Sequence, residues 1–341
     1  MQAMEVPSAR AWTRRGVVTA LLAFVAVMAI LHMGIGTISL TPAQILQALF
    51  QRDDSMHSHV VWALRLPRVL ACICAGALLG MTGAAFQALF RNPLADPYVV
   101  GVSSGAAVGG ALGIVFGVGA GWTGWLLGLG PLVMGTAGGL GALALVVSLS
   151  IRRGVLDPNA LLLTGVVLSA LLSSVLSLIL LWSGFDTNVV LGWLLGHMSP
   201  AHWNRVTTMG TVLLVTAPLM LSFGKQLNVL AIGDEAAQRL GVDPHRNRPL
   251  ILLIGSVMVA VTVGSIGIVG FLGLVAPHIA RRLLGVDWRY SMLGAGLVGA
   301  ALLCGADLLA QRIVANAEVP VGIVTAVIGA PFLIALMRRK D

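Results

Sequence analysis

From Gly16 to Met337 the chain is a succession of apolar stretches, each about 20 residues long and so able to cross a hydrocarbon layer as a helix, separated by short polar turns. Inside lipid every backbone N–H and C=O must find its partner within the protein, which leaves only helices and closed barrels as spanning structures. The stretches lack the alternation over about ten residues that barrel strands need. The expected fold class is therefore all-α. Residues 1–341 read as one polytopic transmembrane domain of about ten helices. Composition excludes a soluble domain: only 10% of residues are charged and 57% are hydrophobic, against roughly 25% charged in soluble proteins. The 42 glycines, spread along the apolar runs, suit helices whose backbones approach closely in lipid.

Taken in order, the spans read as Gly16 to Ile38, Arg65 to Phe90, a third ending near Gly117, a fourth ending at Arg152 and Arg153, and Asn159 to Ser183. Residues 185–200 are too short and too mixed to cross and read as a re-entrant helix after the fifth span. Trp203 to Phe223, Leu250 to Ser265, a glycine-interrupted Gly270 to Leu284, Met292 to Ile313 and Pro320 to Met337 complete the set. The first run is too long for a cleaved signal peptide and lacks a small-residue cleavage site, so the N-terminus is expected in the cytosol. Assigning loops alternately puts Arg52, Arg65, Arg68, Arg205 and Arg312 outside and the other sixteen of the 21 Lys and Arg in the cytosol, a strong positive-inside bias with both termini inside. That bias also explains the net charge of +8 without any nucleic-acid partner.

Lys225 to Arg248 is the longest polar run, and the alternation places it in the cytosol. Asp234 is a candidate N-cap and Gly241 a candidate left-handed C-terminal residue; Asp243 followed by Pro244 starts a second short helix. Helices this short need a surface to lean on, with Ala236, Leu240 and Val242 as the leaning face. Two homes fit: lipid headgroups and the chain's own membrane domain, or a cytosolic protein partner.

No catalytic or metal centre emerges from the motifs. The phosphate loop G-x-x-x-x-G-K-[ST] is missing, so any ATP and magnesium belong to another chain and no cofactor is expected on this one. GVSSG at Gly101 to Gly105 matches a hydrolase elbow, with Ser103 and Ser104 as its serines. Gly101, Gly105, Gly109 and Gly113 recur every four residues, however, which is a helix-packing stripe. Cys72, Cys74 and Cys304 lie in apolar spans, and His57 and His59 lack further ligands. Asp307, near the outer end of the ninth span, is expected to pair with Arg312 or Arg68. Arg65 and Arg68, three apart, share a helical face as a small positive patch at the outer surface. The competing function class is an ion-coupled secondary transporter, whose signature would be a protonatable residue buried mid-span.

In combination and order, RLPR (Arg65 to Arg68), GALLGMTGAAFQALFRNPLADP with GVSSGA (Gly76 to Ala106), IGDEAAQR with LGVD (Ile232 to Asp243), GFLGLVAPHIAR (Gly270 to Arg281), AD (Ala306, Asp307) and EVPVGIVTAVIGAPFLIALMRR (Glu318 to Arg339) resemble one family over nearly the whole chain. The resemblance is to the FecCD-type permeases of type II ABC importers for ferric siderophores, haem and cobalamin in the bacterial inner membrane. It implies a homodimer enclosing a translocation path, two cytosolic ATP-binding-cassette subunits, and an extracytoplasmic substrate-binding protein. It also implies that residues 225–248 form the coupling loop, with Gly233, Asp234, Glu235, Ala236, Arg239, Leu240, Gly241 and Val242 in an ATPase groove. Arg65, Arg68 and Arg312 would receive acidic residues of the binding protein; Asn92 and Leu94 would border the cytosolic gate. The sequence departs from the family where many members place an arginine four residues after the Asp of AD: Gln311 stands there and the arginine is Arg312. Ferric siderophore is the expected cargo, with haem and cobalamin next.

Overall fold

The computed structural model describes residues 14–36, 40–51, 53, 55–119, 125–152, 155–184, 187–198, 202–314 and 317–338. Of the charges counted above, Arg10, Arg52, Arg153, Arg339 and Lys340 lie outside the described residues, as do parts of the glycine-rich connection and of the re-entrant segment. The chain opens with α1 (Arg14–Gly34), α2 (Pro42–Phe50), α3 (Met56–His59) and α4 (Leu66–Leu89), α3 passing into α4 through a π-helical turn at Val60–Arg65. Next come α5 (Val102–Gly119), α6 (Trp125–Ser150), α7 (Pro158–Trp182), α8 (Thr187–Leu194) and α9 (Trp203–Ser222). The last part holds α10 (Gly224–Leu230), α11 (Asp234–Arg239), α12 (Pro244–Ile266), α13 (Leu272–Leu284), α14 (Trp288–Ala310) and α15 (Val321–Arg338). Seven helical stretches are long and apolar enough to cross a membrane: α1, α3–α4 together, α6, α7, α9, α12 and α14. With α5, α15 and the 13-residue α13 they fill the ten expected spans. Strand pairing among the described residues is confined to the two-residue hairpin of Ile151–Arg152 with Val155–Leu156 and one isolated bridge, so the fold is all-α.

Three expectations need correction. The stretch before Arg65 is not an open loop: Thr41 and Gln44 form a capping box with Pro42 at the first position of α2, and Ser55 caps α3. Asp243 and Pro244 start no second short helix, because α12 continues unbroken from Pro244 to Ile266, well ahead of the expected start at Leu250. The short eighth span starts at Leu272, two residues later than expected, and at 13 residues or about 20 Å is shorter than a bilayer is thick.

Close helix packing follows the glycines. Added Cβ atoms at Gly76, Gly80 and Gly83 of α4 would strike the carbonyls of Gly299, Ala295 and Gly273, and those at Gly105, Gly109 and Gly113 of α5 would strike Gly138, Met134 and Gly130 of α6. The GVSSG stripe is therefore a packing seam, with Ser103 buried in it. α4 is buried along almost its whole length at the centre of the bundle, while α7 leaves Leu163, Val167, Leu171, Leu178 and Trp182 uncovered.

In the unwound segment 267–270, backbone groups of Ile268 and Val269 are engaged by protein. Ile268 N–H donates to Leu194 O (3.2 Å), and His197 N–H donates to Ile266 O (3.0 Å). The Tyr98 hydroxyl donates to Val269 O (2.7 Å) and accepts from Val269 N–H (3.1 Å). The start of α15 joins the same junction, with Val321 N–H on Gly196 O (2.9 Å) and Gly322 N–H on Leu195 O (3.2 Å). The end of the re-entrant α8, the break before α13 and the head of α15 are thus sewn into one backbone node.

Candidate functional site

At the end of the bundle that carries α11, the polar run is held rigidly. Gly233, with φ of 143°, is the N-cap of α11, not Asp234 as expected. Asp234 is drawn away by cations: it accepts from Arg248 at 2.8 and 2.5 Å and lies 3.4 Å from Arg91, and paired charge-assisted bonds outweigh a single cap N–H. Gly241 does take the left-handed conformation (φ 78°), and Gly241 N–H to Gln238 O (3.0 Å) with Val242 N–H to Ala237 O (2.9 Å) completes a Schellman end. Asp243 then caps α12, accepting from His245 N–H at 2.9 Å. Asn228 ties α10 to Asp287, the cap of α14, at 2.8 Å.

The leaning face differs from the expectation. Ala237 is fully buried, Ala236 and Val242 are half-buried, and Leu240 points outward at 63% exposure beside Ile232 at 69%. Glu235 and Arg239 are exposed between them. Ile232, just before the N-cap of α11, and Leu240, at its C-cap, thus flank the helix as an outward-facing apolar ridge with charged residues between them. Next to it, Asn92 makes an Asx turn onto Leu94 N–H (2.9 Å), and both residues are exposed. Leu94 borders a cleft of about 700 Å³ lined also by Gln87, Arg91, His278, Arg281 and Trp288.

Charge pairing sets the pH behaviour of this end. Bonds from Arg248 hold the Asp234 carboxyl below its ordinary value, and bonds from Arg289 and Asn228 hold Asp287 well below it. A depressed carboxylate stabilises the fold above its unfolded value, near pH 4, and loses that contribution as pH falls through the folded value. The braced geometry is therefore expected to persist unchanged from neutral pH down to about pH 5 and to loosen only below about pH 4, as followed by amide exchange across residues 233–243.

At the opposite end the expected positive patch is rearranged. Arg65 is buried, its guanidinium donating to the carbonyls of Met33 and Gly34 at the end of α1. Arg68 donates to both oxygens of Asp307, from Nε at 2.7 Å and Nη2 at 2.9 Å, and from Nη1 to both oxygens of Glu318 at 2.9 and 3.0 Å. Of the two partners expected for Asp307, Arg68 is the one it has. Gln311 also donates to Asp307 (2.9 Å), turning inward, while Arg312 is exposed. His32 Nε2 lies 2.6 Å from Asp307 Oδ2. His32 received no role from the sequence, although a lone histidine in the apolar run before Met33 is a signal. His32, Cys72 and Asp307 bring potential metal ligands within 4.8 Å of one another. Asp307 Oδ2, however, already accepts from Arg68, Gln311 and His32, and Oδ1 from Arg68, so the arrangement is a hydrogen-bonded clamp.

A braced apolar ridge at one end, an ion clamp at the other and a re-entrant node between them is the geometry against which known proteins were compared. The family model for the FecCD transport family matches residues 22–339. The chain belongs to this family. As a FecCD protein it is the permease subunit of an ABC importer, a multi-span component of the cytoplasmic membrane. It is 37% identical over 83% of its length to the cobalamin import permease of Halobacterium salinarum, covering 74% of that protein. It is 35% identical over 84% of its length to the hemin transport permease of Yersinia pestis, covering 85% of it. Among solved structures, a metal-chelate type ABC transporter in an inward-facing conformation superimposes with a TM-score of 0.83 at 30% identity, over 95% of this chain and 99% of the other.

Proposed function

We propose that this permease imports a metal chelate, a ferric siderophore before haem or cobalamin, handed over by a binding protein at the clamp end and driven by two ATPase subunits docked at the α11 end. The observation that carries the reading is the braced, outward-facing ridge of Ile232 and Leu240, which gives a motor subunit a rigid lever. Gly233, Asp234, Glu235, Ala236, Arg239, Leu240, Gly241 and Val242 form the coupling element, and ATP and magnesium stay with the ATPase. Two copies of the chain pair to enclose the path, which small and apolar side chains line so that a bulky chelate meets no tight site. Asn92 and Leu94 border its cytosolic gate, both termini lie in the cytosol, and alternating access follows movement of α7 and α8 around the backbone node. The chelate class is tested by ATP-dependent uptake into vesicles of a radiolabelled ferric siderophore against haem and cobalamin; uptake of none of the three would refute it.

Docking at the clamp end falls unequally on the three arginines. Arg312 is exposed and carries the rim charge, Arg65 is buried, and Arg68 turns one edge inward to Asp307 and the other to the part-exposed Glu318. Arg312→Glu is expected to weaken binding-protein docking roughly tenfold in low salt and progressively less as salt rises, with folding unchanged. Surface-immobilised permease titrated with its binding protein at two ionic strengths reads this, and equal affinities at low salt would remove Arg312 from the interface.

A further inference from the structure

The Arg68 guanidinium has two working edges. One grips Asp307, which is 1% exposed and fixes the orientation of the group from inside the bundle. The other presents Nη1 outward, and both oxygens of Glu318 fill that position although the Glu318 side chain is itself 39% exposed. We propose that this outward edge is a carboxylate-binding site, filled in the free subunit by Glu318 as an internal stand-in, and that an acidic segment of the docking partner takes the place of Glu318. The inference rests on the docking reading given above.

Three features support the exchange. The buried Asp307 keeps the guanidinium oriented whichever carboxylate occupies its outer edge, so the site persists when Glu318 leaves. Replacing one carboxylate by another leaves the local charge unchanged, and a part-exposed ion pair contributes little net stability, so displacement is cheap. The displaced residue also has a destination in the fold. Glu318 lies in the return from α14 to α15, where Val319 N–H bonds to Ala310 O at 3.1 Å, and Val321 and Gly322 bond to Gly196 and Leu195. Release of Glu318 therefore slackens the strand of backbone that sews α15 to the re-entrant α8, carrying a docking event from the rim to the node at the break before α13. The position of Glu318, and not that of Arg68 alone, makes docking a signal.

Amide hydrogen exchange on the full-length permease in nanodiscs tests this, with the capped dipeptide Ac-Glu-Glu-NH2 as the carboxylate probe and Ac-Gln-Gln-NH2 as its neutral control. Glu318→Gln is a conservative change at a part-exposed site. It is expected to speed exchange at Val319, Val321 and Gly322 about tenfold, and saturating Ac-Glu-Glu-NH2 is expected to do the same to the wild type but nothing further to the variant. The neutral dipeptide should leave both unchanged. Wild-type exchange rates in Glu318→Gln would overturn the proposal. Faster exchange in the variant with a wild type that ignores the acidic dipeptide would overturn it too, leaving a structural ion pair only. Failure of the docking reading is seen separately, as an Arg312→Glu permease that docks normally while these exchange rates still respond.

Discussion

Gly241→Pro and Leu240→Asp are expected to bring transport to background while the permease still folds and pairs. The two act by different routes on one element. Gly241 sits at φ 78°, which proline, locked near −65°, cannot adopt. Proline also removes the N–H that bonds to Gln238 O, so the Schellman end of α11 opens and its direction relative to α12 is lost. Leu240→Asp leaves that backbone alone. The side chain is largely exposed, so its replacement is expected to shift stability by less than about 0.5 kcal/mol, and any loss of function must arise outside the chain. Uptake and ATPase stimulation in proteoliposomes are the readouts, with thermal unfolding as the control. Normal uptake by Leu240→Asp would remove α11 from coupling; lost uptake with an unchanged melting temperature would fix the fault at the interface with the motor.

The sequence revealed some levels of this structure and hid others, for physical reasons. Spans were legible because lipid imposes length and apolarity residue by residue, and Gly105, Gly109 and Gly113 were legible as a packing stripe because helical spacing is local. Caps were half legible. Gly241 and Asp243 behave as their residue types dictate, whereas Asp234 left its expected capping role for Arg248, fourteen residues on, and for Arg91, across the bundle. Turn chemistry favours a cap, but two guanidinium groups offer a carboxylate more than one backbone N–H does. The home of Leu240 stayed open because hydrophobicity alone cannot tell a side chain buried in its own fold from one held outward, as Leu240 is. The clamp was hidden more deeply. Asp307 was singled out, but Arg68 lies 239 residues away and His32 275, and only tertiary packing decides which of several candidate cations reaches it.

That clamp gives the second large effect. Asp307→Leu is expected to destabilise the permease by about 3–5 kcal/mol, because it leaves the Arg68 guanidinium in a low-dielectric site with its buried counter-charge gone. His32, 2% exposed in its side chain, loses its acceptor in the same step. Arg68→Leu should cost a comparable amount, by stranding the buried carboxylate. Removing both charges together, in Arg68→Leu with Asp307→Leu, should cost far less than the sum of the two, since a buried ion pair exchanged for apolar side chains is often close to neutral. Glu318 can then turn to solvent, being already part-exposed. Melting temperature and monodispersity in detergent follow the four proteins of the cycle. A double variant as unstable as the sum would mean that the two residues act independently, and the clamp would not be what orders this end. A double variant that folds but docks no binding protein would separate the roles within one guanidinium: its inner edge for folding, its outer edge for the partner.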